Sequence, residues 1–202
     1  MNVIIDLFAG LGGASSAFID DPNWVVIRID NNPELLDHTE GLIISDIDDI
    51  ERTLSIINAI IDSLEYHIGK VIIWASPPCV QYSFANMNRD PDNFDNTLLI
   101  RTLEYIDRLK PDAWIIENVK GAIETFNEIV GMKWAQSVGP VFMWGQFPIL
   151  AFEDAAHRKH KKMLNSGTRA LRPNIRALVP YAVSDAYKKS VLCQTKLTSW
   201  GN

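Results

Sequence analysis

Two side chains with complementary chemistry each follow an apolar run of the sequence. Cys79 comes shortly after the run Val71–Ala75, and Glu117 comes directly after the run Ala113–Ile116. If both runs are parallel strands, the thiol and the carboxyl group lie at the same edge of a sheet. A cysteine adds covalently to an electron-poor carbon, and a carboxylic acid supplies a proton to the ring nitrogen that takes up the electrons. The pair therefore suits attack on a pyrimidine ring.

A purely structural explanation of the same residues is that Cys79 is a small buried hydrophobe and Glu117 a solvated strand end. The rigid Pro77–Pro78 turn before the cysteine and the polar stretch Gln81–Phe84 after it favour the nucleophile. A half-buried carboxyl group is expected to keep its proton, and a thiol near a helix start is expected to ionise readily. Each group would then be tuned to its role.

A glycine-rich turn follows the first apolar run, Val3–Leu7. The turn holds Gly10, Gly12 and Gly13 and opens a predicted helix. Glycines at such a turn allow a ligand to approach the backbone closely. Their spacing matches neither the dinucleotide-binding fingerprint nor a P-loop, which needs a Lys-Ser or Lys-Thr end. By itself, the turn is compatible with any nucleotide-like cofactor.

Two aspartates follow the next two apolar runs. Asp30 ends the second run, where its carboxylate can accept hydrogen bonds from two ribose hydroxyls. Asp46 follows the third run, where it can accept a hydrogen bond from an adenine amino group. A turn-forming aspartate at a strand end is common, so a structural role explains either residue equally well.

Short β-branched runs alternate with longer amphipathic stretches, which is typical of a parallel sheet covered by helices. We therefore predict an α/β fold with a doubly wound, mostly parallel sheet. The predicted strands are Val3–Leu7, Trp24–Asp30, Gly41–Ser45, Val71–Ser76, Ala113–Glu117 and Val141–Pro148. The predicted helices are Gly13–Ile19, Asp49–Tyr66, Thr97–Lys110 and Lys120–Ile129.

Length and composition limit the class of protein. The 202 residues suffice for one domain with a real core, and 47% of them are hydrophobic. No apolar run is long enough to span a membrane, so a soluble protein is expected. The start of the sequence has no basic leader, and Cys79 and Cys193 are the only cysteines. These features indicate a reducing, cytoplasmic setting without a zinc cluster.

Charge is distributed unevenly along the chain. Residues 1–156 hold 9 Lys and Arg against 24 Asp and Glu, whereas residues 157–202 hold 10 Lys and Arg against Asp185 alone. The basic segment 157–202 is the candidate for contacts with nucleic-acid phosphates. A solvated basic surface explains its composition equally well.

Three motifs occur in order at the predicted strand ends: Asp6–Gly13, Pro78–Ser83 and Glu117–Val119. They resemble the cofactor, nucleophile and acid motifs of DNA (cytosine-5) methyltransferases. The stretch from Asp95 through Lys120 also resembles the helix and strand that lead into the glutamate motif of that family. The resemblance covers about residues 2–122 and implies a Rossmann-like methyltransferase fold.

The resemblance implies that S-adenosylmethionine binds over the first three strands. Phe8 would lie beside the adenine, Asp30 would contact the ribose, and Asp46 would lie near the adenine amino group. The glycine turn would face the amino-acid part of the cofactor. Further cofactor-binding positions implied by the resemblance are Asp6, Ala9, Gly10, Gly12, Gly13, Asn31, Ile47, Pro78 and Leu98.

The resemblance also implies the chemistry. A cytosine flipped out of DNA would receive Cys79 at carbon 6 while Glu117 protonates or hydrogen-bonds N3, with Asn118 in support. Carbon 5 then becomes nucleophilic enough to take the methyl group of the cofactor. A base removes the proton from carbon 5, and the cysteine leaves.

The sequence departs from the family's pattern near the nucleophile and after residue 150. Val80 stands where the family usually has Gln, and the family's arginine motif is represented only by His157–Lys162. Within that stretch Arg158 is the candidate to contact the cytosine carbonyl. His157 and His160 have no further clustered ligand, so no metal site is predicted.

Little sequence is available for reading DNA bases. Only about Met163–Asn174 lies where the family carries its recognition domain, and one small base-reading module commonly buries about 600–1,000 Å². We therefore expect short or relaxed specificity, or an accessory recognition protein. The segment Arg176–Ala186 loosely resembles the family's final motif, whose helix packs beside the cofactor. Ser184 and Asp185 could equally cap a terminal helix.

Together these features predict a DNA (cytosine-5) methyltransferase with a single catalytic domain over residues 1–202, of the compact kind that phages encode or that accompanies a restriction enzyme. Segment 157–202 would clamp the DNA backbone. Two other classes stay open: an RNA or free-nucleotide cytosine methyltransferase, and a non-catalytic homologue that binds the cofactor or DNA. The sequence indicates neither the target site nor the oligomeric state.

Overall fold

The computed structural model describes residues 1–64, 67–151 and 171–197. Within them, the strands are β1 (Asn2–Leu7), β2 (Trp24–Asp30), β3 (Leu42–Ile44), β4 (Val71–Ala75), β5 (Ala113–Val119), β6 (Gln136–Val138) and β7 (Val141–Gln146). The α-helices are α1 (Ile50–Asp62), α2 (Thr97–Leu109), α3 (Ile123–Val130), α4 (Arg172–Ala177) and α5 (Tyr181–Leu197). Short 3₁₀ helices lie at Pro33–Leu35, Pro91–Asn93 and Lys120–Ala122.

The strands form one sheet in the order β3-β2-β1-β4-β5-β7-β6. The first five strands are parallel, and β7 is antiparallel to both of its neighbours. The strand order reverses between β1 and β4, and ligands of doubly wound sheets bind at the carboxyl ends of the strands beside such a reversal. The predicted doubly wound, mostly parallel α/β fold is confirmed.

Apolar layers cover both faces of the sheet. One layer lies between the sheet and helices α1 to α3, and it includes Leu54, Tyr105 and Phe126. The opposite layer includes Tyr187 of α5. Because β1 is buried on both faces, Val3–Leu7 is an almost continuous apolar run. Each fully buried isoleucine or leucine of such a run contributes about 1.5–3 kcal/mol.

The predicted strands are confirmed, with ends that shift by one or two residues. The shift that bears on the site is at β5, which continues through Val119 and so contains Glu117. Antiparallel pairing with β7 holds β5 at this length, with Glu117 opposite Met143. The edge strand β6 was not predicted, because Gln136–Val138 contains one apolar residue and forms no apolar run.

The predicted helix at Gly13–Ile19 is wrong. Residues 14–20 form successive turns whose backbone hydrogen bonds join residues three apart. The Ser184 hydroxyl of α5 accepts a hydrogen bond from the Ala17 N–H (3.0 Å) and donates one to the Ala14 carbonyl (2.7 Å). This insertion takes up two backbone groups that a helix would bond internally.

The other predicted helices are confirmed with shifted ends. Asp49 is the N-cap of α1 because its side chain accepts a hydrogen bond from the Arg52 N–H (3.3 Å). The predicted continuation of this helix to Tyr66 reaches residues outside the described part of the chain. The stretch Lys120–Ile129 is a 3₁₀ turn followed by α3. Among the described residues, no helix has the length and apolar character needed to cross a membrane.

Candidate active site

The carboxyl ends of β1, β4 and β5 are adjacent at the centre of the sheet. Leu7 lies beside Ala75 in the strand register, and Ala75 lies beside Ile116. The segments that follow therefore leave the sheet close together: the glycine turn after β1, Ser76–Cys79 after β4, and Glu117 within β5. The structure brings the predicted nucleophile, acid and glycine turn to one edge of the sheet.

The Glu117 carboxyl group is half-buried and hydrogen-bonds the Ser76 hydroxyl. Burial raises the pKa of Glu117 to about 7, the Ser76 hydrogen bond opposes the rise, and the negative charge of Asp6 adds to it. The Ser76 hydroxyl also accepts a hydrogen bond from Trp74 Nε1 (3.0 Å). Glu117 can therefore hold a proton near neutral pH, as an acid that serves a ring nitrogen requires.

The Cys79 thiol is half-buried and is not preceded or followed by a helix. The chain turns at Cys79, whose carbonyl accepts hydrogen bonds from the N–H groups of Tyr82 (3.1 Å) and Ser83 (3.0 Å). Burial raises the pKa of the Cys79 thiol, and the negative charge of Glu117 raises it further. The predicted ease of ionisation is thus wrong, because no helix dipole stabilises the thiolate.

Glu117 and Cys79 also influence one another electrostatically, because the negative charge of Glu117 is one cause of the raised pKa of the Cys79 thiol. A protonated Glu117 removes the charge that opposes the thiolate. A protonated Glu117 therefore favours ionisation of Cys79, and an ionised Cys79 favours a protonated Glu117.

Asn118 joins the two strand ends that carry this pair. Its side chain is buried, and Nδ2 donates a hydrogen bond to the Pro77 carbonyl (3.0 Å). The side-chain oxygen accepts a hydrogen bond from the Val119 N–H (2.9 Å). Because Pro77 lies two residues before Cys79, this contact fixes the start of the nucleophile segment relative to β5.

Residues 80–96, which we call the nucleophile loop, are fastened at their two ends. The Gln81 side chain donates to the Asp95 carbonyl (2.5 Å) and accepts from the Asp95 N–H (2.8 Å). The Tyr82 hydroxyl donates to Asn96 Oδ1 (2.8 Å). Between these fastenings, Met87 is 99% exposed, so the tip of the loop stands in solvent.

Arg89 ties the nucleophile loop to the residues that follow β5. Its guanidinium group donates to the carbonyls of Tyr82 and Gly121, each at 3.2 Å. The same group lies over the rings of Phe84 and Phe94, with its carbon 4.9 Å and 5.2 Å from the ring centroids. A Cβ atom on Gly121 would come within 1.9 Å of the Tyr82 carbonyl oxygen, so only glycine permits this approach.

The glycine turn, residues 8–13, has an unusual backbone. Gly10 and Gly12 have φ angles of 55° and 72°, and Phe8 has a φ of 60°. A left-handed conformation is costly for a phenylalanine, and such strain is concentrated at ligand sites. The turn is fixed at Gly10, whose N–H donates to Asp30 Oδ2 (2.9 Å) and whose carbonyl accepts from the Thr39 hydroxyl (2.8 Å).

Asp6 lies at the end of β1, directly below the glycine turn. Its side chain is 1% exposed, and Oδ2 accepts a hydrogen bond from the Ser15 hydroxyl (2.7 Å). Its Oδ1 has no hydrogen-bond partner in the described part of the chain. Burial raises the pKa of Asp6 to about 7. A buried oxygen without a partner is costly, so a ligand that donates to it would be bound favourably.

Residues 2–138 match the sequence model of the family described as C-5 cytosine-specific DNA methylase. The chain belongs to this family. The match runs from β1 through β6, and it includes the glycine turn, Cys79 and Glu117 of the methylase. The predicted family membership is confirmed.

Two relatives illustrate how much of a methylase the chain spans. The chain is 28% identical over 131 residues to the Type II methyltransferase M.DdeI of Desulfomicrobium norvegicum. The matched region covers 59% of this chain and 28% of that protein. A solved structure of the Entamoeba histolytica methyltransferase EhMeth is similar, with a TM-score of 0.47 and 19% identity. That similarity covers 72% of this chain and 53% of the other. The chain thus spans well under two thirds of each relative.

The predicted cofactor residues of the methylase lie at the ends of the first strands. The Asp30 carboxylate accepts backbone hydrogen bonds from Gly10 and Asn32 (3.0 Å for Asn32), and a carboxylate retains acceptor capacity beyond two bonds. Asp46 is exposed, and its side chain accepts a hydrogen bond from the Asp48 N–H (3.0 Å). Of the other positions, Asn31 and Pro78 are exposed, Ala9 and Ile47 are buried, and Leu98 is half-buried in α2.

The segment that loosely resembles the family's final motif lies against the glycine turn. A Cβ atom on Gly13 would come within 2.6 Å of the Val179 carbonyl oxygen, so the residues before α5 pack directly on the turn. Ser184 contacts residues 14–17 and is not a helix cap. Arg158 and the two nearby histidines lie outside the described residues.

The roles of two polar residues beside the site were not predicted from the sequence. Ser76, which hydrogen-bonds Glu117, was assigned only as a strand end. Arg28 lies within the apolar strand β2 and is 5% exposed. A charged residue inside an apolar run is itself a signal, since a buried charge requires partners.

Proposed function

We propose that this chain transfers a methyl group from S-adenosylmethionine to carbon 5 of cytosine in DNA, through a covalent bond between Cys79 and the base. The observation that carries the proposal is that Cys79 and Glu117 lie at the carboxyl ends of the adjacent parallel strands β4 and β5, with the pKa of Glu117 raised to about 7. Attack on a pyrimidine requires this combination of a thiol and a protonated carboxyl group within reach of one ring.

The residues below and around the glycine turn fit the cofactor. The unpartnered Asp6 oxygen suits a cationic donor, and the ammonium group of S-adenosylmethionine is such a donor. Phe8, Asp30 and Asp46 would hold the adenosine part, and the glycine turn would hold the amino-acid part. When bound there, the cofactor supplies the methyl group for transfer.

The chain's own residues account for activation of the base. A cytosine inside a duplex is inaccessible, so it must leave the stack to reach this edge of the sheet. The Cys79 thiolate forms a bond from Sγ to carbon 6, and the displaced electron pair moves towards N3, which takes the proton of Glu117. Carbon 5 is then electron-rich and would bond the methyl group as the bond from that group to the cofactor sulfur breaks.

The reaction closes by restoring both residues. N3 returns its proton to Glu117, a base removes the proton from carbon 5, and the bond from Sγ to carbon 6 breaks. Asn118 supports these steps by fixing the segment before Cys79 relative to β5. The raised pKa of the Cys79 thiol indicates that the nucleophile is held as a thiol, so its proton must be lost to water before Sγ attacks.

Covalent trapping tests the proposal. Duplex DNA containing 5-fluorocytosine, with S-adenosylmethionine present, is expected to form a denaturation-resistant complex with the wild-type chain, because the fluorine cannot leave as a proton does. Cys79→Ser should abolish the complex without loss of cofactor binding. Cys193→Ser is the matched control, since Cys193 is exposed. An adduct with Cys79→Ser, or none with the wild type, would contradict the proposal.

The nature of the substrate is tested by comparing polymers and monomers. We infer that duplex DNA is the substrate because the chain belongs to a DNA methylase family. Methyl transfer to duplex DNA should therefore exceed transfer to RNA of the same sequence and to dCMP. Equal or greater transfer to RNA or dCMP would overturn this inference.

We infer a short or relaxed target sequence, or an accessory protein that supplies recognition. The support is that only residues 147–180 separate β7 from α5, and a base-reading module buries about 600–1,000 Å². Bisulfite sequencing of DNA from cells that express the chain would report the modified cytosines and their neighbours. A single long target sequence, read by the purified chain alone, would contradict this inference.

A further inference from the structure

Arg28 is a buried cation that bonds neutral oxygens. Its Nε donates to the Ser15 hydroxyl (2.8 Å), Nη1 donates to the Glu40 carbonyl (2.8 Å), and Nη2 donates to the Gly12 carbonyl (3.1 Å). Burying a charge is unfavourable unless its hydrogen bonds are satisfied. Two of these bonds go to the nearby residues Gly12 and Ser15 and one goes to Glu40, which indicates that the guanidinium group organises the backbone around it.

The guanidinium group lies directly against the glycine turn. A Cβ atom on Gly12 would come within 2.7 Å of Arg28 Cζ and 2.8 Å of Nε. Gly12 also has a φ of 72°, which a residue with a side chain rarely adopts. The turn and the arginine therefore fit each other closely, and the position of one depends on that of the other.

The contact with Ser15 extends the effect of Arg28 to Asp6. Because Nε of Arg28 donates to the Ser15 oxygen, the Ser15 hydroxyl proton is directed to Asp6 Oδ2, at 2.7 Å. This bond fixes the carboxylate and leaves its Oδ1 as the oxygen without a partner. Arg28, Ser15 and Asp6 thus form a hydrogen-bonded chain beneath the turn.

We propose that Arg28 is a positioning residue for the cofactor site, which shapes the glycine turn through Gly12 and orients the Asp6 carboxylate through Ser15. The inference rests on the proposed binding of S-adenosylmethionine at this turn. Arg28 also donates a hydrogen bond to the Glu40 carbonyl. The adjacent residue, Thr39, donates its hydroxyl to the Gly10 carbonyl. Arg28 therefore supports the glycine turn from a second side.

The test compares Arg28→Met, which keeps an apolar stem but removes all three bonds, with Arg28→Lys. S-adenosylmethionine binding is measured by isothermal titration calorimetry, and KM for the cofactor and kcat are measured for methyl transfer. Arg28→Met should raise both Kd and KM roughly tenfold or more, because several charged hydrogen bonds are lost, while kcat at saturating cofactor changes less. Arg28→Lys should give an intermediate effect, since an ammonium group cannot bridge three acceptors.

Lys188→Met is the control for a merely structural loss. Lys188 pairs with Asp21 (2.6 Å) and donates to the Ala17 carbonyl (3.1 Å), so its removal also disturbs the chain after the turn. At equal loss of thermal stability, it should leave cofactor binding close to that of the wild type. A cofactor affinity of Arg28→Met that equals the wild type, or that falls no further than that of Lys188→Met, would overturn the inference.

A second variant keeps the inference testable if Arg28→Met does not fold. Ser15→Ala retains the charge but breaks the link to Asp6, and it should weaken cofactor binding several-fold with kcat largely kept. Unchanged binding by Ser15→Ala would overturn the orienting role. Failure of the wild-type chain itself to bind S-adenosylmethionine would instead overturn the proposed function.

Discussion

The glycine turn and the nucleophile loop are held in opposite ways. Buried groups fasten the turn from below, with Arg28 on the Gly12 carbonyl, and its backbone adopts left-handed angles. The loop is fastened at its base by Gln81 and Asp95 and by Arg89, while its tip is in solvent. The glycine turn is therefore preformed, whereas the nucleophile loop is anchored at its base and exposed at its tip.

This difference suits what each region would bind under the proposed function. A preformed turn lowers the ordering cost of holding a small, unchanging ligand. A loop fastened at its ends can shift as one body to admit a polymer and a flipped base. The proposed chemistry then divides along the sheet, with cofactor binding beside β1 and β2 and base activation beside β4 and β5. Each prediction below tests whether the two regions are separable.

Glu117→Gln is expected to have the largest effect that is confined to one of the two regions. The amide cannot supply a proton to N3, so kcat should fall about 100-fold or more while S-adenosylmethionine binding stays within about twofold. Single-turnover methyl transfer at saturating cofactor measures the first effect, and calorimetry measures the second. A fall in cofactor affinity as large as the fall in rate would show that the regions are not separable.

Alanine at two glycines should damage one region each. Gly121→Ala places a methyl group within 1.9 Å of the Tyr82 carbonyl, so the loop must move and adduct formation should slow roughly tenfold or more. Gly12→Ala places one against the Arg28 guanidinium and should weaken cofactor binding instead. The rate of adduct formation and the Kd for the cofactor are measured for both variants.

Gly131→Ala is the matched control for these substitutions. Gly131 has a φ of 74°, but no atom lies within 4 Å of where its Cβ would be. Gly131→Ala should therefore be destabilised only by the unfavourable backbone angle, which costs about 1 kcal/mol of the free energy of unfolding. Both functions should remain intact. If Gly12→Ala and Gly131→Ala behave alike, the contact with Arg28 is unimportant.

A smaller effect is expected for Asn118→Ala, which removes the hydrogen bond to the Pro77 carbonyl. The lost bond should cost about 1–3 kcal/mol of unfolding free energy, because a buried carbonyl is left without its donor. Adduct formation should slow, since the segment before Cys79 loses its tie to β5. Chemical denaturation and trapping measure the two effects. An equal loss of cofactor affinity would argue against a role confined to the nucleophile side.

The smallest predicted effect is on the pH dependence of stability. Burial raises the pKa of Glu117 from 4.5 to about 7, so at pH values between these the folded chain holds a proton that the unfolded chain has lost. The stability that this proton provides is complete below the lower pKa and is lost as the pH rises through about 7.

Thermal denaturation of the wild type and Glu117→Gln between about pH 5 and pH 8 measures this effect. The variant should lose less stability as the pH rises. Asp6, with a pKa also raised to about 7, remains in the variant, so the slope should be reduced rather than abolished. Identical slopes would mean that Glu117 titrates normally in the folded chain.

Much of the fold follows from local sequence. Buried parallel strands require apolar runs, and Val3–Leu7 and Val71–Ala75 are such runs whatever surrounds them. Their parallel order also brings Cys79 and Glu117 to one edge. Those features were predictable because each depends on a few neighbouring residues and on the connectivity of a doubly wound sheet.

The failed predictions depended on residues far apart in the sequence. The segment after Gly13 lacks a helix because Ser184 takes up its backbone groups. The Cys79 thiol is not primed to ionise because no helix begins there and Glu117 lies nearby. Arg28 was overlooked because its acceptors, on Gly12, Ser15 and Glu40, come together around it only in the folded chain. Local pattern cannot reveal contacts of this kind.

The insertion of Ser184 between Ala14 and Ala17 has a consequence for synthesis of the chain on the ribosome. The bonds join groups separated by 167 and 170 positions, so the turns at residues 14–17 are completed only after residue 184 has been translated. A growing polypeptide therefore emerges with these backbone groups unbonded.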